Sequence, residues 1–356
     1  MEEIFIIIMT LVVLLIPSFR RRYFFSRKES GKKEGKIKKR LEFFDFLRGI
    51  AILAVILIHV SYFYQTFGSE FGSSFFVIFL DNLGRFAIPV FFICSGILLN
   101  PFEKNYKRFY FRKFVRIFVP YIIINLIILY FIRGSVLDLL YNLVSGDALL
   151  PFYFIVILAQ FYLLYPFIIK FRDSKRFLVF SFILSFVSFL VPLTWIWGGV
   201  DMFFKFFFFF VFGIYYRDYY LNYKKDEKQF KFWIFVLLAY IVYNIIFIDD
   251  YFNVRLFYGL AIFNLLFYYK NDLMKSRIKN VVVNFGRSSL WIFLIHFLFV
   301  GMFYIIFLVI DWNLYLEYIL IFLLSLVFSY VFGSLLNLIY GKLILERVKI
   351  FGNIYK

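Results

Sequence analysis

The chain has 356 residues, of which 63% are hydrophobic and 17% charged, with 58 Phe and 28 Tyr. That composition excludes a soluble domain, which could not hide so much apolar surface beneath a polar exterior. The net charge of +18 suggests a nucleic-acid partner, but its placement excludes one: the bases lie in short clusters between apolar runs, as membrane-surface charge does.

In chain order, residues 4–19 form the first apolar run. Met1, Glu2 and Glu3 precede it and lack the positive start of a secretory signal, so we expect an uncleaved anchor with its N-terminus outside. The competing reading is a short interfacial helix that never crosses. Residues 20–42 carry eleven Lys or Arg and three Glu, a solvated cytoplasmic loop. Spans are then expected at roughly 46–66, 75–99, 114–132, 151–169, 177–194, 199–216, 232–248, 254–269, 288–310 and 315–340.

The connecting loops alternate in charge. Those at 100–116, 170–176, 217–231, 270–279 and 341–356, with 20–42, hold 34 of the 40 Lys and Arg. The intervening loops at 67–74, 133–150 and 249–253 hold few, and 311–314 opens on Asp311. This predicts a multi-pass protein of the cell membrane, with basic loops and C-terminus cytoplasmic. Only helices or closed barrels can cross lipid, and the long runs lack the alternation of barrel strands. The expected fold is therefore all-α, a polytopic membrane bundle of 10–11 transmembrane helices. Its expected parts are an anchor and basic loop at 1–40, a membrane domain at 41–340 and a short tail at 341–356. Pro89, Pro120, Pro166 and Pro192 are expected to kink helices or mark their ends. No internal repeat is visible. The single cysteine, Cys94, offers neither a disulfide framework nor a metal pattern, and no metal site is expected.

An ionisable group inside a span is costly and therefore a functional candidate. Both histidines of the chain, His59 and His296, fall within spans. At 1.5 Å per residue they lie about 14 Å and about 12 Å from the cytoplasmic edge, so they can face each other near mid-bilayer. The alternative for each is a plain helix–helix hydrogen bond. Arg48 precedes His59 by eleven positions, about three turns, on roughly the same side of the helix. There it can bind an oxyanion or phosphate, or serve as an ordinary positive flank. Asp45 can pair with Arg48 or cap the helix. Asp81 and Arg85, four apart at the outer side, can line an acceptor entrance or form a rim salt bridge. Ser95 and Gly96 sit near the inner end of that span, where Gly96 permits close helix approach. Arg112, Lys113 and Arg116 can share one helical surface at the cytoplasmic face, suited to an anionic ligand or headgroup, or to orientation charge alone.

Together these segments resemble the integral membrane acyltransferase family 3, membrane O-acyltransferases that modify cell-surface polysaccharides and related acceptors. The segment "FFDFLRGIAILAVILIHV" is similar to its opening pattern, with Arg48 and His59 on its Arg-x10-His element. The segment "RFAIPVFFICSGILL" resembles its second-helix signature at Arg85, Pro89, Phe92, Ser95 and Gly96. In "FYFRKFVRIFVPYI", where the family shows Arg-x-x-Arg, this chain has Lys113-x-x-Arg116 with Arg112 adjacent. The segments "YFIVILAQFYLLYPFI" and "NFGRSSLWIFLIHF" are similar to its fourth and its late histidine-bearing helix. The resemblance covers residues 41–340.

It implies a membrane-bound O-acyltransferase. The donor would be acyl-CoA from the cytoplasm, acetyl-CoA by default, used as co-substrate with no cofactor held permanently. The acceptor would be a hydroxyl of a sugar, polysaccharide or lipid-linked molecule, alongside contacts with membrane lipids. A positioned imidazole can act as general base on a hydroxyl, a role assigned to His59; an acyl-histidine intermediate is the variant. His296 would orient acceptor or acyl chain, Arg48, Arg112, Lys113 and Arg116 would hold the CoA phosphates, and Ser95 would hydrogen-bond near the tunnel.

Two other functions compete. A transporter for a lipid-linked or polar sugar intermediate would show charged pairs along an aqueous path, broken helices and pseudo-symmetric halves. A membrane transferase using a phosphorylated lipid donor would use the same basic loops. A scaffold without chemistry is the remaining possibility.

Overall fold

Backbone groups in lipid must find partners within the protein, so a chain this apolar has to fold as helices or a closed barrel. The computed structural model is all-α, with no strand among the described residues, which are 37–68, 70–103, 105–190, 203–246, 255–310 and 313–345. The expected anchor at 4–19, the basic segment up to residue 36, Pro192, the 249–253 loop, Asp311 and the tail beyond 345 lie outside these residues.

Helix α1 runs Ile37–Phe67 and carries His59. A short 3-10 turn, Glu70–Ser73, leads to α2 (Phe75–Gly84) and α3 (Ala87–Ile97). Helix α4 (Tyr106–Lys113) continues through a π turn, Phe114–Phe118, into α5 (Val119–Ile132), whose start is marked by Pro120. Next come α6 (Val136–Ser145), α7 (Tyr153–Ile168, with Pro166 inside), α8 (Lys175–Leu190) and α9 (Phe204–Tyr215). The chain continues through α10 (Arg217–Leu221), α11 (Glu227–Ile246), α12 (Arg255–Tyr268) and α13 (Lys270–Leu273). It closes with α14 (Lys279–Arg287), α15 (Ser289–Phe307) and α16 (Leu314–Tyr340). Six helical stretches among the described residues are long and apolar enough to cross a membrane: Glu42–Phe67, Phe75–Ile97, Tyr106–Ile132, Leu150–Phe171, Ser289–Phe307 and Leu314–Ile344.

Helix α16 shows how this polytopic membrane bundle is held together. Val327, Val331 and Leu335 point outward, while Ser325, Ser329 and Gly333 are buried against the bundle. Small residues inward and branched apolar residues outward let helices approach closely while their outer faces meet lipid. Gly96 of α3 does the same: a Cβ there would strike the Phe210 carbonyl and Gly213 of α9. Buried Phe side chains fill the remaining space, Phe161 of α7 lying flat on Phe210 of α9 at 4.5 Å.

One local departure from the sequence reading and one expected kink have physical causes. The 133–150 connection contains a helix, α6, closed at its start by a capping box between Ser135 and Asp138. Val136, Leu137, Leu140 and Val144 are exposed along it, as on a helix lying in the membrane interface. The second span, in which Pro89 is expected to kink the helix or mark an end, breaks between α2 and α3. Pro89 has no N–H to offer the Arg85 carbonyl four residues earlier. Carbonyls beside the break accept from side chains: Tyr258 of α12 donates to Leu83 O at 2.6 Å, and Tyr240 of α11 to Asn82 O at 3.2 Å, which also accepts from Arg85 N.

Candidate active site

Helix α1 is the central element of the site. It packs against α2, α3, α14 and α15, which bring the two histidines together. His59 is 8% exposed and His296, on α15, fully buried. Their rings lie 5.1 Å apart. His296 Nδ1 sits 2.7 Å from the Phe293 carbonyl and 3.2 Å from that of Ile292. Both are acceptors, so Nδ1 carries the hydrogen, and in the neutral ring Nε2 is left with a lone pair. That Nε2 is buried without a hydrogen-bond partner, and so is His59 Nδ1. With Nδ1 enclosed, Nε2 is the nitrogen that His59 presents outward.

His59 lines a cavity of about 210 Å³ inside the bundle, shared with Tyr62, Arg85, Pro89, Tyr153 and Phe293. His296 is not part of its wall; it stands behind His59. Arg85, read from sequence as an outer-side residue, projects into this cavity from the break between α2 and α3. It is paired with Asp81, which is 3% exposed. Ser95, half-buried on α3, is not part of the wall.

Arg48 lies elsewhere, in a charged cluster where α1 meets α14. Its Nη1 donates to Asp45 Oδ1 at 3.2 Å. Lys279 pairs with Glu42 at 3.0 Å, and Arg287 lies 4.0 Å from Asp45. The three bases read as one patch diverge. Arg112 is ion-paired with Glu103. Lys113 rests over the Tyr162 ring at 4.2 Å and lines a separate apolar groove of about 420 Å³. Arg116 is exposed within the π turn, where Tyr340 donates to the Val115 carbonyl.

Residues 41–334 match the family model described as the acyltransferase domain, of acyltransferase family 3. The chain belongs to that family. No curated protein and no solved structure gives a significant match. In this member of the membrane acyltransferase family, Arg85, a sequence candidate for an acceptor entrance or a rim salt bridge, takes a definite place, and Glu317 is a residue that sequence reasoning passed over. Arg85 shares the wall of one cavity with His59. Glu317 is a buried carboxyl at the start of α16 that accepts from Tyr64 of α1 at 2.6 Å, beside a Ser61–Tyr318 bond of 2.6 Å. An acidic residue inside the expected 315–340 span was the available signal for Glu317. The sequence offered Arg85 for an acceptor entrance or a rim salt bridge and Pro89 for a kink, but not that the kink turns Arg85 into the cavity of His59.

Proposed function

We propose that the protein transfers an acyl group, acetyl in the simplest case, from acyl-CoA to a hydroxyl of a sugar, polysaccharide or lipid-linked acceptor at the membrane. One observation carries this reading: an imidazole lines a cavity within the helical bundle, backed by a second imidazole with a complementary free nitrogen. His59 acts as general base on the acceptor hydroxyl. His296 acts through it. A small ring rotation lets His59 Nδ1–H donate to His296 Nε2, which holds the lone pair of His59 Nε2 toward the cavity. The cavity, about 210 Å³ in volume, has room for a short acyl group beside His59.

The donor approaches from the face carrying the basic loops, which the charge asymmetry makes cytoplasmic. Arg48, Arg112, Lys113 and Arg116 hold the CoA phosphates, with Asp45 orienting Arg48. Ser95 hydrogen-bonds along the donor's path, and Asp81 secures Arg85 in the cavity wall. Residues 41–340 form the catalytic domain, with 1–40 as anchor and basic loop.

The test uses the full chain in detergent with radiolabelled acetyl-CoA. Wild type is expected to bind it saturably and transfer the label to an acceptor hydroxyl. His59→Ala is expected to bind the donor and transfer nothing. Normal turnover in that variant overturns the base assignment. Well-folded wild type that binds no acyl-CoA overturns the donor.

A further inference from the structure

Arg85 stands at a broken helix, and its conformation is tightly constrained. Its Nε and one terminal nitrogen both donate to Asp81 Oδ2, at 2.9 and 2.5 Å. Asp81 is itself buried, so the pair cannot swing out into solvent. A guanidinium carries five N–H donors in a rigid fork. Two are used on Asp81. The side chain keeps 24% of its surface accessible, and it lines the same cavity as His59. Val55, Ile58, Ile88 and Phe206 make much of the remaining wall apolar. In such surroundings a fixed positive group acts strongly on negative charge that develops nearby, because little water screens it. Asp81 balances the guanidinium at rest, so the cavity does not hold an uncompensated buried cation.

We propose that Arg85 is a catalytic residue, whose remaining N–H donors stabilise the oxyanion formed during acyl transfer. This deepens the acyl-CoA reading above and rests on it. The acceptor oxygen bonds to the thioester carbonyl carbon while its proton passes to the unprotonated nitrogen of His59. The carbonyl π electrons move onto oxygen, and that oxyanion faces Arg85. On collapse the C=O bond reforms and the C–S bond breaks. The departing thiolate takes the proton back from His59, leaving an ester and a free thiol. Arg48 is badly placed for this role. It lies about 16 Å from His59 along α1, is paired with Asp45 and is absent from the cavity wall.

The competing account is a purely structural ion pair that closes the helix break. Arg85→Lys separates the two. Lysine keeps the charge and a donor for Asp81 but loses the fork. We expect Arg85→Lys to melt near wild type and to bind acetyl-CoA with unchanged affinity, while kcat falls about 10²–10³-fold. In Arg85→Gly, added guanidinium chloride should restore part of kcat, and sodium chloride at equal ionic strength should not. A wild-type kcat in Arg85→Lys overturns the proposal. So does a loss of kcat that only follows loss of folded protein or of donor binding. Absence of acyl-CoA turnover in wild type overturns the donor reading instead, so the two failures are told apart by the wild-type control.

Discussion

The rings of His59 and His296 lie 5.1 Å apart, and each encloses one nitrogen without a hydrogen-bond partner. The two free nitrogens are complementary in kind: one can carry a hydrogen, and the other, by the tautomer that Phe293 O imposes, holds a lone pair.

This relationship predicts different outcomes for two replacements at 296. His296→Leu removes the acceptor, and kcat is expected to fall about 10²-fold with the donor KM unchanged. His296→Gln keeps an acceptor oxygen and is expected to recover much of that loss. Equal activities in the two variants would show that His296 serves packing alone. Steady-state kinetics in reconstituted vesicles provides the measurement.

The break between α2 and α3 depends on Tyr258, which donates to Leu83 O. Tyr258→Phe leaves that carbonyl with no donor in an apolar bundle, at a cost of about 1–3 kcal/mol. A lower melting temperature in detergent is expected. Activity per folded molecule should also fall, because Arg85 sits at the break. An unchanged melting temperature would mean that the carbonyl finds another donor.

Gly96 and Gly213 let α3 and α9 touch through their backbones. Gly96→Leu forces the helices apart and should cost about 1–3 kcal/mol of stability. Thermal unfolding followed by size-exclusion chromatography would detect it. Wild-type behaviour would mean that the helices separate more freely than this contact allows.

Arg112 and Arg116 should differ in donor binding. Arg112 already pairs with Glu103, whereas Arg116 is exposed. Arg116→Gln is expected to raise the acetyl-CoA Kd by about tenfold, a typical worth of one charged hydrogen bond. Arg112→Gln should have a smaller effect. Titration of the two variants with labelled donor gives the comparison, and the reverse ranking would place the phosphates nearer Arg112.

Much of the architecture was legible because lipid imposes rules that one-dimensional patterns obey. Apolar length marks a span, and the stretches 42–67, 75–97, 289–307 and 314–344 fall close to the expected positions. The 1.5 Å rise alone put His59 and His296 at matching depth. Local signals also worked at Pro89 and Pro120, where a missing N–H has an immediate backbone consequence. The helix at 136–145 was missed because a ten-residue interfacial helix has neither the length nor the charge asymmetry of a span.

Hydropathy and charge thus determined by themselves that the chain is a helical membrane protein, and its ordered motifs pointed to the family that the match over 41–334 establishes. Tertiary structure alone decided which polar groups share a cavity. Spacing along one helix made Arg48 the companion of His59, yet Arg85 lines the His59 cavity. The reason is geometric. Eleven residues along a straight helix separate two side chains by about 16 Å, whereas a break in a neighbouring helix can swing a distant arginine into the same space. That break persists because Tyr240 and Tyr258, more than 150 positions later, supply donors to carbonyls beside it.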